Sequence, residues 1–191
     1  MDNKIPSGTH AMDIQSLHKY CLNLAKVAYM DNASLDGSLI IYAECENPEN
    51  NVTWGIGVGN NAEKQLALKS VAIAMQHRGA IRYSIMSLSW KAEASKEYSP
   101  SSNPERKEVL AVSTSSKTEK IATFTEVLRT GEVMTGYGEE VSTEAQGLMT
   151  ELLLIEDVPQ MVRLAAEGML TKNILSGKPL DVPASNQPKP H

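Results

Sequence analysis

The feature that most constrains this chain is a set of three extended runs between residues 79 and 129. The first run, 80–94, alternates apolar and polar side chains with the two-residue period of a half-buried strand. The second, 106–115, has apolar residues at its centre, and the third, 120–129, places Ala122, Phe124 and Leu128 on one face. The connection between the second and third runs is short and polar, which implies an antiparallel pair. The simplest arrangement is a three-stranded antiparallel meander, in which a polar loop over 95–105 joins the first two strands.

The apolar face of the first run changes in the middle of the run. One alternating set ends at Ile85, and a second set of the opposite parity begins at Met86. Such a change indicates either a β-bulge near these two residues or a strand whose middle is buried on both faces. Because Ser87 and Ser89 are poor residues for a second buried face, we expect the bulge.

Helical periodicity on the N-terminal side of the meander predicts elements that cover it. Apolar residues recur every three or four positions over 14–31, after a capping Asp13, and again over 61–78. Gly79 is a natural C-terminal cap for the second helix. A further strand is predicted over 38–46, where apolar residues again alternate. The apolar side of helix 61–78 is expected to lie on the sheet.

The C-terminal third is predicted to add a helical hairpin. Residues 131–138 contain three glycines and are interpreted as a connection out of the sheet. Two capping-box patterns, Thr143 with Gln146 and Asp157 with Gln160, predict two helix starts, each followed by apolar residues at helical spacing. The methionines among them could serve a partner groove, but core packing is the expected use.

These elements together predict an α+β fold. Its antiparallel sheet, built from the meander and strand 38–46, is covered by helices. We expect residues 11–176 to form a single domain, preceded by a flexible lead over 1–10 and followed by a disordered, proline-rich tail over 177–191.

Composition excludes several classes of protein. A net charge of -5 with scattered basic residues disfavours nucleic-acid binding. No apolar run approaches the roughly 18 residues of a membrane span, and the N-terminus lacks the pattern of a secretory signal. The two cysteines, Cys21 and Cys45, are too few for a disulfide framework. We therefore expect an intracellular, reducing setting and no membrane partner.

Three glycines, Gly55, Gly57 and Gly59, precede helix 61–78 and form a candidate binding site. Glycines followed by helical N–H groups can accept an anion such as a phosphate. Their spacing is neither a dinucleotide-binding fingerprint nor a Walker loop, so a flexible connection or a short edge strand is the alternative. Glu44 and Glu46 could complete a small-ligand site, although a solvent-exposed strand end explains these carboxylates equally simply.

No pattern nominates a catalytic or metal-binding centre. The four histidines lie in different predicted elements, and there is no C-x-x-C, H-E-x-x-H or G-x-S-x-G signature. His18 is interpreted as a surface or satisfied boundary residue of the first helix. The sequence therefore favours a non-enzymatic protein with no catalytic residues, no metal and no cofactor, although scattered residues could still meet in space.

Three segments, 87–90 (SLSW), 98–100 (YSP) and 103–110 (NPERKEVL), resemble a pattern in uncharacterised small α+β proteins of bacteriophages, prophages and other mobile elements. The resemblance covers about a sixth of the chain and implies a protein of the bacterial host's cytoplasm, with no activity attached. In physical terms the motif is a turn at 103–104, with Arg106 or Lys107 paired to Glu93 or Glu108.

If this loop binds a partner, Trp90, Tyr98 and Arg106 are the candidate contact residues, because aromatic and arginine side chains dominate recognition sites. The leading hypothesis is a non-enzymatic binding or accessory protein of a phage or mobile element, which acts through protein contact and as a homodimer. Inhibition of a host defence system is one form of it. The alternatives are a small-ligand protein that uses the glycines and, ranked last, a nucleic-acid-associated protein.

Overall fold

The computed structural model describes residues 13–31, 37–57, 60–92, 102–145 and 150–176. The expected flexible lead and the expected disordered tail lie outside these ranges.

A seven-stranded antiparallel sheet organises the described chain. Its strands, in chain order, are β1 (Ser38–Cys45), β2 (Val52–Gly57), β3 (Ala80–Lys91), β4 (Lys107–Ser116), β5 (Lys120–Thr130), β6 (Val133–Thr143) and β7 (Ile174–Ser176). In space their order is β6-β5-β4-β3-β1-β2-β7. Strands β3, β4 and β5 form the predicted meander, and β1 lies beside β3. These two predictions and the α+β class are confirmed.

Three helices, α1 (Ile14–Asp31), α2 (Asn61–Arg78) and α3 (Gln160–Leu170), complete the fold. Helix α2 buries Leu68, Val71 and Met75 in a cluster with the β1, β2 and β3 side chains of one sheet face. Helix α1 packs on the opposite face, where its apolar stripe meets β1, β3, β4 and β5. Helix α3 packs against α2. The sheet is therefore covered on both sides.

Local capping explains where the first two helices begin and end. The Asp13 carboxylate accepts from the Ser16 N–H at 2.8 Å, and the Asn60 side chain accepts from the Glu63 N–H at 2.9 Å. Gly79 closes α2 in the left-handed region, with φ of 69°. The predicted bounds of both helices are confirmed.

The predicted bulge near Ile85 is wrong. Strands β3 and β4 pair without a register shift from Arg82 to Lys91. Instead, residues 83–87 are all buried, because a helix covers each face of the sheet at this point. A buried serine is tolerated there because the Ser84 hydroxyl hydrogen-bonds Thr114 at 2.7 Å.

The predicted connection over 131–138 is also wrong, since β6 occupies most of it. Gly131, with φ of 63°, turns the chain, and β6 then pairs with β5 through two register shifts that accommodate the remaining glycines. Thr143 ends this strand and does not cap a helix. Of the predicted hairpin, the described residues contain α3 and, before it, a 3₁₀ turn at Leu152–Leu154. Asp157 does not cap α3, which begins after Pro159.

Candidate interaction site

Two of the three predicted loop-contact residues meet in the structure. The Arg106 guanidinium lies 4.5 Å from the centre of the Trp90 ring, at the open end of the β3–β4 pair. Trp90 remains 44% exposed. Tyr98 lies outside the described residues. Of the expected ion-pair partners, Glu108 instead binds Arg129 (2.5 and 3.1 Å), and Lys107 binds Glu126 (3.0 Å). Glu93 lies outside the described residues.

The described part of the glycine site belongs to a strand. Gly55 and Gly57 belong to β2 and pair with Ile40 and Ser38 of β1, which confirms the strand alternative; Gly59 lies outside the described residues. Glu44 lies at the opposite end of β1, six residues from Ser38, which is about 20 Å of extended chain. The expectation that its carboxylate reaches solvent is wrong. The side chain is buried, and the carboxylate forms an ion pair with the Arg82 guanidinium on β3 at 2.9 Å.

His18 is buried, and its position at a surface or boundary of α1 is corrected. Its Nδ1 lies 2.8 Å from the Thr114 hydroxyl and its Nε2 lies 2.8 Å from the Thr123 hydroxyl. These hydroxyls continue to Ser84 and Ser142 at 2.7 Å each. Desolvation lowers the pKa of His18, so the imidazole is neutral and links α1 to the sheet through a chain of hydrogen bonds.

The two cysteines are buried thiols with little nucleophilic character. Burial raises the pKa of Cys21 to about 12 and that of Cys45 to about 11, so both are protonated at neutral pH. Within the described ranges, no group of three or more histidine, cysteine or acidic residues is placed to hold a metal ion. None of the helices in those ranges has the length and apolarity to cross a membrane.

Helix α3 presents an inverted distribution of polarity. The side that packs against the protein carries Arg163, Ala166, Glu167 and Leu170. The outward side is entirely uncharged and consists of Met161 (76% exposed), Val162 (44%), Leu164 (45%), Met169 (62%) and the small residues Ala165 and Gly168. We call these six outward residues the α3 face. Exposed apolar groups of this kind are typical of interaction sites.

Inward charges hold α3 in this orientation. Glu167 forms an ion pair with Arg78, the last residue of α2, and both side chains are largely buried. The Arg78 guanidinium also lies 5.8 Å from the Trp54 ring and donates to the Asn50 carbonyl at 3.1 Å. At the other end, Arg163 binds Asp157 at 2.9 Å. Rotating the helix would separate Glu167 from Arg78 and leave this largely buried guanidinium without its ion-pair partner, which is costly.

The sequence predictions did not identify the α3 face, because they preferred core packing over a partner groove for the methionines of this helix. One signal was present: Arg163 and Glu167 are four residues apart and share a stripe with Leu170. A helix of this pattern has one mixed stripe and one apolar stripe. Periodicity alone does not tell which stripe faces inward.

Two cavities open elsewhere on the described chain. One of about 570 Å³ lies at the end of the sheet, between the C-terminus of α2 and the β4–β5 turn, and is lined by Glu46, Gln76 and Arg163 among others. The other, of about 360 Å³, lies over Ala111 and Phe124 of β4 and β5. The described binding candidates Trp90, Arg106, Gly55 and Gly57 line neither cavity.

Comparison of the chain with protein-family models, with curated proteins and with solved structures found no match. The exposed, uncharged α3 face is therefore the main structural indication of function.

Proposed function

We propose that this protein is a non-enzymatic binding protein that acts through protein–protein contact, and that the α3 face is its contact surface. The observation that carries this proposal is the uncharged outward side of α3, whose four large side chains are 44–76% exposed. A helix that only closed the fold would direct these side chains inward and its charges outward.

The energy available at this surface is enough to support binding. Complete burial of one large aliphatic side chain is worth about 1.5–3 kcal/mol. Because each of the four large side chains of the α3 face has roughly half or more of its surface still exposed, covering them would contribute on the order of 4–6 kcal/mol. That amount, before the cost of association, fits a contact of moderate affinity.

The other proposed functions have weaker support. Gly55 and Gly57 belong to β2, which is paired with β1, and the Glu44 carboxylate is paired with Arg82. The buried, protonated thiol of Cys21 is a poor nucleophile. The imidazole of His18 is buried and both of its nitrogens are hydrogen-bonded to hydroxyl groups, so a substrate proton is out of its reach. The phage-like pattern over 87–110 supports a setting in a phage or mobile element, in the cytoplasm of its host. There, binding and inhibiting a host defence protein is the form of this function that we propose.

A pair of matched variants tests the contact surface. Leu164→Glu places a charge in the α3 face, whereas Leu66→Glu places one on α2, where Leu66 is 63% exposed. Proteins captured from bacterial lysate by the full chain are produced separately, and their dissociation constants are measured with all three chains. We expect Leu164→Glu to weaken a genuine contact at least about tenfold and Leu66→Glu to leave it unchanged.

Circular dichroism checks that both variants remain folded. If no captured protein and no self-association depends on Leu164, the proposed contact surface is wrong.

A further inference from the structure

We infer that the α3 face is occupied by the α3 face of a second copy of this chain, in an antiparallel helix pair about a two-fold axis. This inference rests on the proposed function, since it concerns the same surface: a second copy covers the α3 face when no other protein is bound, and the two partners compete for it. It follows from the charges at the ends of the helix, from the sizes of the side chains in the face, and from the area that pairing would cover.

The charges that flank α3 are self-complementary only in an antiparallel pair. Exposed Glu156 precedes the helix, next to Asp157, which is also exposed but pairs with Arg163 of its own chain, and exposed Lys172 follows the helix. An antiparallel pair places the acidic end of one copy beside the basic end of the other and also opposes the two helix dipoles. A parallel pair would place like charges together. The α3 face itself carries no charge, so the net charge of -5 on each copy adds no local repulsion there.

The side-chain sizes also fit a close helix pair. Ala165 and Gly168 lie at the middle of the α3 face, and a Cβ added to Gly168 would meet no atom within 4 Å. The longer side chains of Met161, Leu164 and Met169 surround these two small residues. With the two-fold axis near Ala165, Met161 of one copy meets Met169 of the other, and methionines adapt readily to irregular contacts. Small central residues let two helix axes approach to about 8 Å.

The area that pairing covers predicts a weak dimer. The four exposed large side chains contribute roughly 100 Å² each, and the small residues add a little more, so pairing covers about 1,000 Å² in total over both copies. That value is the lower limit of specific interfaces, for which a dissociation constant in the micromolar range is expected.

Other surfaces fit a second copy less well. The long outer edge of the sheet, β6, contains two register shifts and carries Glu139 and Glu140, and the opposite edge, β7, is only three residues long. Bulges, acidic side chains and short strands all oppose edge-to-edge pairing. A membrane is also a poor occupant, because the acidic residues before α3 would be repelled by anionic lipid.

Sedimentation equilibrium of the full chain over about 1 to 500 µM tests the dimer. We expect reversible dimerisation that Leu164→Glu weakens more than about tenfold and that Leu66→Glu leaves unchanged. A chain that stays monomeric throughout this range overturns the inference. The proposed function survives that outcome if a different protein binds in a Leu164-dependent manner, and it fails with the dimer if none does. A dimer that Leu164→Glu does not weaken overturns both the inferred interface and its helix pairing.

Cysteine cross-linking tests the geometry. In the antiparallel pair, Ala165→Cys lies at the axis and should form an intermolecular disulfide under mild oxidation, because its Cα atoms fall within about 7 Å. The exposed position Ala62→Cys on α2 is the control and should give no such product. Met161→Cys should cross-link poorly with itself, and efficient cross-linking there would overturn the antiparallel arrangement. Co-sedimentation with vesicles containing phosphatidylglycerol should leave the protein in solution, and Leu164-dependent binding to them would favour a lipid occupant and overturn the inference.

Discussion

Shortening Leu164 and Leu170 to alanine, one at a time, should affect stability in very different ways. The two leucines lie on the same helix, α3, but Leu164 is 45% exposed and Leu170 is 5% exposed. Leu170 belongs to the apolar cluster that α2 forms with the sheet. The pair therefore tests directly which side of α3 faces the protein, and every argument about the α3 face depends on that orientation.

The expected magnitudes follow from these exposures. Truncation of a fully buried leucine removes its transfer free energy and leaves a cavity, which together cost about 2.7–5 kcal/mol. For Leu164 the side chain is already about half solvated and no closed cavity forms, so the cost should be about 1 kcal/mol or less. Because about 2–4 °C of melting temperature corresponds to 1 kcal/mol in a chain of this size, Leu170→Ala should melt roughly 5–20 °C below the wild type.

Urea unfolding followed by circular dichroism measures both free energies. The measurement is repeated at low and high protein concentration, because the effect of Leu164 on a dimer depends on concentration and its effect within one chain does not. If Leu164→Ala costs as much as Leu170→Ala at low concentration, α3 is turned the other way and the α3 face is not a surface.

Three further predictions concern the core. Because burial depresses the pKa of His18 below its ordinary 6.5, the unfolded chain binds its proton first as the pH falls, so the free energy of unfolding should decline as the pH falls through 6.5. His18→Gln should flatten this pH dependence in urea titrations, and an unchanged slope would contradict the assignment. On α2, Met75→Ala should cost about 2–5 kcal/mol and Leu66→Ala less than about 0.5 kcal/mol, and equal losses in thermal melts would count against the burial of Met75. A thiol reagent should modify Cys21 and Cys45 only slowly until denaturant is added, and rapid modification of the native protein would show that the thiols are accessible.

The strands and helix ends that are determined by residues close together in the sequence could be predicted. The two-residue period of β3 and the short apolar runs of β4 and β5, joined by a short turn, are sufficient to predict the meander. Gly79 predicts the end of α2 because glycine adopts positive φ without strain. The sequence predicts Trp90 and Arg106 as candidate partner contacts. The structure shows in addition that the two side chains stack on each other, since both flank the same loop.

The burial of a residue, in contrast, depends on which distant segments of the chain pack around it. The parity change at Ile85–Met86 reflects helices on both faces of the sheet, and the same covering explains why His18 is buried among hydroxyl groups contributed by four strands.

The orientation of α3 is the clearest such case. Its sequence contains a charged stripe and an apolar stripe. If hydrophobicity alone set its orientation, the apolar stripe would pack against the protein. Arg78 at the end of α2 supplies a partner for Glu167, and this pairing turns the charged stripe inward. Hydrophobic periodicity therefore specified the helix, whereas an ion pair between residues 89 positions apart specified which side of it meets solvent.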